Sequence, residues 1–347
     1  MSLPVKTVHV LLPGLSAPAW RFGGRLIAET FAALLDRHVP TRVVTYRDRE
    51  PGVPFLDDLL AGADLDPADL FVVTWGPHVQ GLLQILAGRR VVYYAQSTGW
   101  DLRLPERVPV LCLSRHILAF WMLHAPHNPL FLLGPVLSSG DEECRNLGLE
   151  RDIEVLFLER KSTAYLKDVL VPALQPRCKV HVVRDFLPRG ELIRLYNRSK
   201  VYLYSSAPTA SGWVEGFGFQ PLEALVCGCA VFSNLHGGLA DYLDPEVNAF
   251  KLETWSLAHD LERIESIVRE GFHPKKVEDL ARTYSEEAFH ERVGRFLPVL
   301  EAFFSRPEPP DIDSLTLAAA PPPPASPLWR RLGGRAARAL GISGKRR

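Results

Sequence analysis

Short apolar runs rich in β-branched residues alternate with longer amphipathic stretches along most of this chain. This alternation is typical of β-strands joined by helices, and it predicts parallel sheets covered by helices on both faces. A first series of strands is predicted at Val8–Leu12, Arg42–Tyr46, Leu70–Thr74, Val91–Ala95 and Val110–Leu113. A second series is predicted at Ile153–Leu158, Lys179–Val183, Val201–Tyr204 and Ala230–Ser233. We therefore expect an α/β protein with two doubly wound, Rossmann-like domains that face each other across a cleft.

The domain boundaries follow from changes in composition. At 347 residues, the chain is about twice the usual size of a single domain. The polar segment Gly134–Arg151 predicts a joint between a domain at 1–140 and a second domain with a closing helix at 151–305. A Pro/Ala-rich stretch at 306–327 predicts an extended linker, and a basic tail follows at 328–347.

The charge is balanced as a whole but uneven along the chain. There are 40 basic and 40 acidic residues, so net charge gives no reason to expect nucleic acid as a partner. The segment 328–347 holds seven basic residues and no acidic one, which leaves 33 basic against 40 acidic residues before it. Its apolar and basic residues fall on different helical faces, which predicts either binding to an anionic membrane surface or a solvated tail.

The five cysteines include no CxxC pair. Their odd number favours a reducing compartment and argues against a disulfide or zinc framework. No apolar run approaches the roughly 20 residues that a membrane span requires, and the N-terminus lacks the pattern of a signal peptide. We therefore expect a cytoplasmic protein.

The segment from Ser211 to Phe250 carries the most informative motif. A loop with Glu215 and Gly218 leads into a predicted helix that has Pro221 in its first turn. Free N–H groups at such a helix start bind anions, phosphate above all. Glu215 and Glu223 flank this position, and ionised carboxylates accept hydrogen bonds from ribose or sugar hydroxyls.

The phosphates of such a ligand also need cations. Arg160 and Lys161 follow the predicted strand Ile153–Leu158 almost directly. Ligands of open α/β sheets lie beyond the carboxyl ends of the strands, so both side chains could neutralise a diphosphate there. A nucleotide-sugar satisfies the need for an anion site, for carboxylates near hydroxyls and for cations near phosphate.

The residues 215–238, EGFGFQPLEALVCGCAVFSNLHGG, resemble the E-x7-E region of retaining GT-B glycosyltransferases of "group 1". This class includes sugar transferases of lipopolysaccharide, capsule and glycolipid assembly. The resemblance extends over about residues 153–252 and includes LIRLYNRSKVYLYSS, from Leu192 to Ser206. It implies a GT-B fold with the acceptor on the first domain and the nucleotide-sugar on the second, and a role in polysaccharide biosynthesis.

Residue roles are implied by the same resemblance. Glu215 would contact the donor sugar and Glu223 the ribose, while Arg160 and Lys161 would bind the diphosphate. The reaction would need no metal and no cofactor besides the donor itself. The departing diphosphate would take the acceptor's proton, and the sugar would keep its anomeric configuration on a glycan or lipid-linked acceptor. Catalysis would then depend on positioning and on stabilising the charge of the leaving group.

Several glycines have implied roles near the same ligand. The amides of Gly216, Phe217 and Gly218 would assist in binding the donor. Gly23 and Gly24, which open the first predicted helix, resemble the family's glycine pair near the donor phosphates and the acceptor.

Two departures from the family pattern leave an alternative open. Arg160 and Lys161 are adjacent, whereas many members place several residues between them. Gln96 stands where many members have His, and Gln cannot act as an acid or a base. Some transferases of rhamnan assembly resemble this chain in having Gln there, which suggests rhamnose as a donor sugar. The alternative is a non-catalytic protein that binds a sugar or a nucleotide on a GT-B scaffold.

Overall fold

The computed structural model describes residues 4–17, 23–62, 65–74, 76–98, 102–137, 144–160, 162–206 and 215–306. By its internal contacts the chain divides into two units, Met1–Phe304 and Ser305–Arg347. The first unit holds both sheets and all the helices given below. The predicted basic tail lies outside the described residues.

The first sheet has six strands, and every pair of neighbours is parallel. Its strands are β1 (Val8–Leu12), β2 (Thr41–Thr45), β3 (Leu70–Val73), β4 (Arg90–Ala95), β5 (Val110–Cys112) and β6 (Leu130–Leu132). The spatial order is β2-β1-β3-β4-β5-β6, so the direction of winding reverses between β1 and β3.

The second sheet has five strands and is also parallel throughout. Its strands are β7 (Ile153–Leu158), β8 (Val180–Val183), β9 (Ser199–Tyr204), β10 (Ala230–Ser233) and β11 (Ala249–Lys251). The order is β11-β10-β9-β7-β8, so the winding reverses between β7 and β9. In doubly wound sheets the ligand crevice lies at such a switch point, beyond the carboxyl ends of the strands.

Helices connect the strands in both halves. They are α1 (Gly23–Leu35), α2 (Leu56–Ala61), α3 (Val79–Ile85), α4 (Arg115–His124), α5 (Val171–Leu174), α6 (Arg189–Arg198), α7 (Phe219–Val226), α8 (Leu257–Glu270), α9 (Val277–Thr283) and α10 (Glu286–Phe304). A π-helical stretch, Tyr165–Leu170, leads directly into α5. No helix in the described part of the chain has the length and apolar character of a membrane span.

The sequence prediction of two doubly wound α/β halves is confirmed. All nine predicted strands are present, with ends that differ by two residues at most. Strands β6 and β11 were not predicted, because each has only three residues and too little periodicity to be recognised. The sequence pattern also predicts a helix at Leu239–Leu243, and this prediction is wrong, since the region forms a 3₁₀ turn at Gly237–Asp241.

Side chains of the second sheet are buried in two different hydrophobic clusters, one on each face. Leu156 and Tyr202 belong to the large cluster that also contains the first sheet, whereas Val155, Phe157 and Leu203 belong to a separate one. Successive side chains of a strand point to opposite faces, so each strand contributes to both clusters. Both faces of the sheet are therefore covered, as its continuous apolar strands predict.

The last helix, α10, packs against the first sheet's elements. Phe289 contacts Phe31 of α1 edge to face, with ring centroids 6.1 Å apart. Phe296 lies against Phe131 of β6 at 5.9 Å. The Glu301 carboxylate accepts a hydrogen bond from the backbone N–H of Val5 at 3.1 Å. The chain therefore crosses between the two sheets twice, once after β6 and again before α10.

Candidate functional site

The acidic loop motif lies at the switch point of the second sheet. Glu215–Gly218 immediately precedes α7, and β9 pairs with β7 so that Leu203 lies opposite Phe157. Gly218 is the N-cap of α7, and no side chain caps this helix. The first amides of α7 therefore have no competing side-chain acceptor, which suits them to bind an anion.

Glu215 is held by a tyrosine at the end of β9. The Tyr204 hydroxyl donates a hydrogen bond to Glu215 Oε2 at 3.1 Å. Burial, and then the negative charge of Glu215, raise the pKa of Tyr204 well above its usual value. The hydroxyl consequently keeps its proton and remains a donor that orients the carboxylate. Tyr204 was not predicted as a site residue, although its position as the last residue of a predicted strand was a usable signal.

Glu223 is deeply buried and paired with a cation. Its side chain is only 7% exposed, and its Oε1 accepts a hydrogen bond from Arg189 Nε at 2.9 Å. Arg189 also donates from Nη2 to the carbonyl oxygen of Leu137 at 2.6 Å. Arg189, which starts α6 near the carboxyl end of β8, was not predicted as a site residue. The ribose contact expected for Glu223 stays a prediction.

Steric contacts account for two glycines of the motif. A Cβ on Gly216 would overlap the carbonyl oxygen of Gln96, which follows β4 of the first sheet. Gly218 has φ +80°, a left-handed conformation that favours glycine, and a Cβ there would meet the side chain of Leu239. The motif loop therefore lies directly against the first sheet's carboxyl edge. Phe217, between these glycines, is buried.

Of the two cations predicted to bind phosphate, only one is described. Arg160 is exposed at the end of β7, and its guanidinium lies 5.8 Å from the centre of the Phe186 ring. Phe186 is 70% exposed and lies after β8, the neighbouring strand. Lys161 falls outside the described residues. Arg160 therefore lies beside the switch point, next to an exposed aromatic ring.

Gly23 and Gly24 open α1, as predicted. Gly23 is exposed, and a Cβ added to it would meet nothing within 4 Å. Packing therefore does not require glycine at Gly23, and Gly24 follows it in the same turn. The loop before them is held by Glu50, whose carboxylate accepts hydrogen bonds from the backbone N–H groups of Leu15 and Ser16, both at 2.8 Å. These bonds lower the pKa of Glu50.

Gln96 has an unused hydrogen-bond donor. Its Nε2 is buried and has no hydrogen-bond partner within the described structure. A buried amide without a partner is uncommon and indicates a place for a ligand or water. His78 ends the 3₁₀ turn Gly76–His78 after β3, and Tyr46 and Arg47 contact its two ring nitrogens at 2.7 and 3.1 Å.

A second set of polar residues joins the two halves beside the motif loop. The backbone N–H of Arg115, at the start of α4, donates to Asp241 Oδ2 at 2.9 Å. His116 Nε2 is buried and, within the described part, has no hydrogen-bond partner. Burial and the nearby His236 lower the pKa of His116, so its ring is neutral at pH 7. His236 Nε2 lies 3.3 Å from Ser206 Oγ.

His116 and His236 were not predicted as site residues. His236 directly precedes the Gly237-Gly238 pair after β10, and this position was a usable signal. His116 had none, because only the fold brings α4 beside that loop. The described residues contain no group of three or more His, Cys, Asp or Glu arranged to hold a metal ion. The arrangement offers carboxylates, amides and imidazole rings to a polyhydroxylated anion.

Comparison with known proteins identifies the fold. Residues 170–286 match the family model described as "Glycosyl transferases group 1". A sucrose-phosphate synthase from Thermosynechococcus elongatus has a TM-score of 0.61 at 12% identity, over 86% of this chain and 99% of its own. HepE of Anabaena, solved with UDP and glucose, has a TM-score of 0.57 at 15% identity, over 85% and 100%.

AviGT4, a glycosyltransferase involved in avilamycin A biosynthesis, has a TM-score of 0.56 at 16% identity, over 86% of this chain and 98% of its own. A search of curated protein sequences finds no match. Two parallel α/β halves with these structural neighbours show that the fold is GT-B, as the sequence predicts. The second half carries the segment that matches the group 1 model.

Proposed function

We propose that this protein is a retaining glycosyltransferase that moves a sugar from a nucleotide-diphosphate-sugar to a glycan or lipid-linked acceptor. The observation that carries the proposal is the position of Glu215. Within the segment that matches the group 1 model, Glu215 lies at the switch point of the second sheet, oriented by Tyr204. HepE, which shares the fold, binds UDP and glucose.

The donor's nucleotide belongs to the second sheet in this proposal. Glu223 accepts hydrogen bonds from the ribose hydroxyls, and Arg160 and Lys161 neutralise the diphosphate. The uncapped start of α7 at Gly218 supports an anion at this place, because the helix dipole favours negative charge there. The amides of Gly216 and Phe217 complete the contact.

The reaction follows from this placement. The acceptor's hydroxyl oxygen bonds to the anomeric carbon on the face from which the diphosphate departs. The bond between that carbon and the phosphate oxygen breaks, its electron pair stays on the diphosphate, and the diphosphate takes the acceptor's proton. Glu215 holds the sugar hydroxyls, so that catalysis depends on positioning and on charge stabilisation. No metal or resident cofactor takes part.

The first domain is proposed to select the sugar and the acceptor. The unpartnered Gln96 Nε2 supports a hydrogen bond to the donor sugar. We propose a hexose or deoxyhexose, with rhamnose as one candidate, on the resemblance to rhamnan-assembly transferases at this position. The space around Gly23 supports an approach of the donor phosphates or the acceptor to α1. The reaction is placed in polysaccharide biosynthesis, in the cytoplasm or at the inner face of the membrane.

A nucleotide panel tests the proposal. UDP, GDP, dTDP, ADP and CMP, with their sugars, are added to wild-type protein and to Glu223→Gln in a thermal unfolding assay. One nucleotide at about a hundredfold excess over its dissociation constant is expected to stabilise the wild type by about 2.7 kcal/mol. Glu223→Gln should lose most of this stabilisation.

Turnover separates an enzyme from a binding protein. With the donor found in the panel, wild type should transfer or hydrolyse the sugar, and Glu215→Gln should lose nearly all of this activity while still binding the nucleotide. Glu265→Gln, which changes a carboxylate of α8 paired with Arg177, is the matched control and should stay active. Binding without turnover would favour the non-catalytic alternative, and no stabilisation by any nucleotide would contradict the proposal.

A further inference from the structure

Arg189 lies between the donor motif and the segment that joins the two sheets. Its Nε donates to Glu223 Oε1 at 2.9 Å, and its Nη2 donates to the Leu137 carbonyl at 2.6 Å. Its side chain is 22% exposed. The planar guanidinium is thus held at two edges, which fixes its direction more firmly than a single ion pair would.

The Glu223 carboxylate is buried, and a buried carboxylate depends on a nearby cation to stay ionised. The titratable groups around its carboxylate include Tyr196 of α6, Tyr202 of β9 and Cys144, which lies between β6 and β7. Burial raises the pKa of both tyrosines, and the neighbouring Cys227 and burial raise that of Cys144, so all three remain neutral. A buried carboxylate without a cationic partner takes up a proton, and a protonated acid is a weaker acceptor for hydroxyl groups.

The Nη2 group of Arg189 binds the segment in which the chain passes from the first sheet to the second. Leu137 lies between β6 and β7, and its N–H donates to the carbonyl of Tyr284 at 2.8 Å, just before α10. The two crossings between the sheets are therefore joined at Leu137. Because Arg189 binds the carbonyl of the same residue, the backbone of the crossing sets the position of the guanidinium and, through it, of Glu223.

We infer that Arg189 is a positioning residue for the donor: anchored on Leu137, it holds Glu223 ionised and directed for the ribose hydroxyls. This inference rests on the proposed function. It assigns to Arg189 an effect on nucleotide affinity that is exerted through Glu223 and not through direct contact with the nucleotide. It also makes the joint between the sheets part of the donor site.

Calorimetric titration of the full chain with UDP, GDP, dTDP and ADP first finds the nucleotide that wild type binds. Arg189→Gln should then bind it roughly 10- to 100-fold more weakly, the loss expected when hydroxyl groups lose an ionised acceptor. Arg189→Lys keeps the charge but not the second bond, so its affinity should lie between the two. Arg198→Gln, which breaks an exposed ion pair with Asp152 at the other end of α6, should bind like wild type.

A double-mutant cycle decides whether Arg189 acts through Glu223. When Arg189→Gln is added to Glu223→Gln, nucleotide affinity should not change further, because the double variant has no Glu223 carboxylate for Arg189 to position. An equal loss in both backgrounds would overturn the inference, as would unaltered binding by Arg189→Gln alone. If Arg189→Gln does not fold, Arg189→Lys is compared in the two backgrounds by the same rule. Failure of wild type to bind any nucleotide would instead contradict the proposed function.

Discussion

At the scale of single residues, the hydroxyl of Tyr204 can be removed without altering its ring. Tyr204→Phe loses the hydrogen bond to Glu215 Oε2. Glu215 then has more freedom, and we expect a fall in kcat of about tenfold, which corresponds to one net hydrogen bond of about 1.4 kcal/mol. Nucleotide affinity should hardly change, because Glu223 is untouched. Steady-state kinetics and nucleotide titration measure the two effects.

The matched control for this change is Tyr165→Phe. The Tyr165 hydroxyl also donates to a carboxylate, Asp260 Oδ2 at 2.7 Å, but this pair lies between the π-helical stretch and α8. Tyr165→Phe should lower stability by about 1 kcal/mol and leave kcat unchanged. Equal loss of activity in both variants would show that Tyr204 contributes stability alone.

His9 links stability to pH. It is completely buried in β1, its Nε2 lies 3.3 Å from Asp69 Oδ2, and Arg42 Nε donates to its Nδ1 at 3.1 Å. Burial lowers the pKa of His9 below 6.5, more than Asp69 raises it. The unfolded chain therefore binds the proton first, and stability present above pH 6.5 is lost as the pH falls below it.

Urea unfolding of wild type and His9→Gln between pH 7.5 and 5 tests this linkage. One histidine changes the free energy of unfolding by at most about 1.4 kcal/mol per pH unit. His9→Gln should remove the contribution of His9 to this pH dependence. His127→Gln, which changes an exposed histidine, should keep the wild-type slope. An unaltered slope in His9→Gln would contradict the assignment.

At the scale of elements, the loop before α7 depends on the close approach of two backbones. Gly216→Ala would place a methyl group against the Gln96 carbonyl, so the loop must move away from the first sheet. We expect a loss of about 2 kcal/mol in unfolding free energy, within the range for overpacking. Transfer activity should fall more steeply, because Glu215 moves with the loop. Denaturant unfolding and kinetics on the same samples measure both.

Gly294, unlike Gly216, has room for a side chain. It lies in α10, and a Cβ added there meets nothing within 4 Å. Gly294→Ala should therefore stabilise the protein by about 0.5–1 kcal/mol, since alanine is the better helix former. Stabilisation by Gly216→Ala, or equal effects of the two changes, would contradict the packing described for the motif loop.

At the scale of the whole molecule, charge is divided between the body and the tail. Residues 328–347 carry seven basic residues, and the rest of the chain has 33 basic against 40 acidic residues. Removal of 328–347 should reduce sedimentation with anionic lipid vesicles at low salt, because each basic residue contributes about 1 kcal/mol near such a surface. Neutral vesicles and high salt are the controls. Undiminished sedimentation would make the tail a plain solvated end.

Much of the architecture could be predicted because its signals are local. The period of apolar residues distinguishes strands from helices, and the positions of Glu215, Gly218 and Glu223 around a helix start depend only on neighbours along the chain. The order of β9, the motif loop and α7 was therefore predictable, together with two doubly wound halves. Short elements such as β6 escaped, because three residues carry almost no periodicity.

Local patterns along the chain are thus enough to predict the succession of elements and the chemistry of one loop. Which distant groups meet depends on the three-dimensional fold. Arg189 and Glu223 form an ion pair although they are 34 positions apart in sequence. The carbonyl of Gln96, after β4 of the first sheet, lies against Gly216, and α10 packs on α1. These contacts depend on strand order and on the two chain crossings. Contacts between residues far apart in sequence produce no periodic pattern. The same local pattern of apolar residues is compatible with many different pairings of helices and strands.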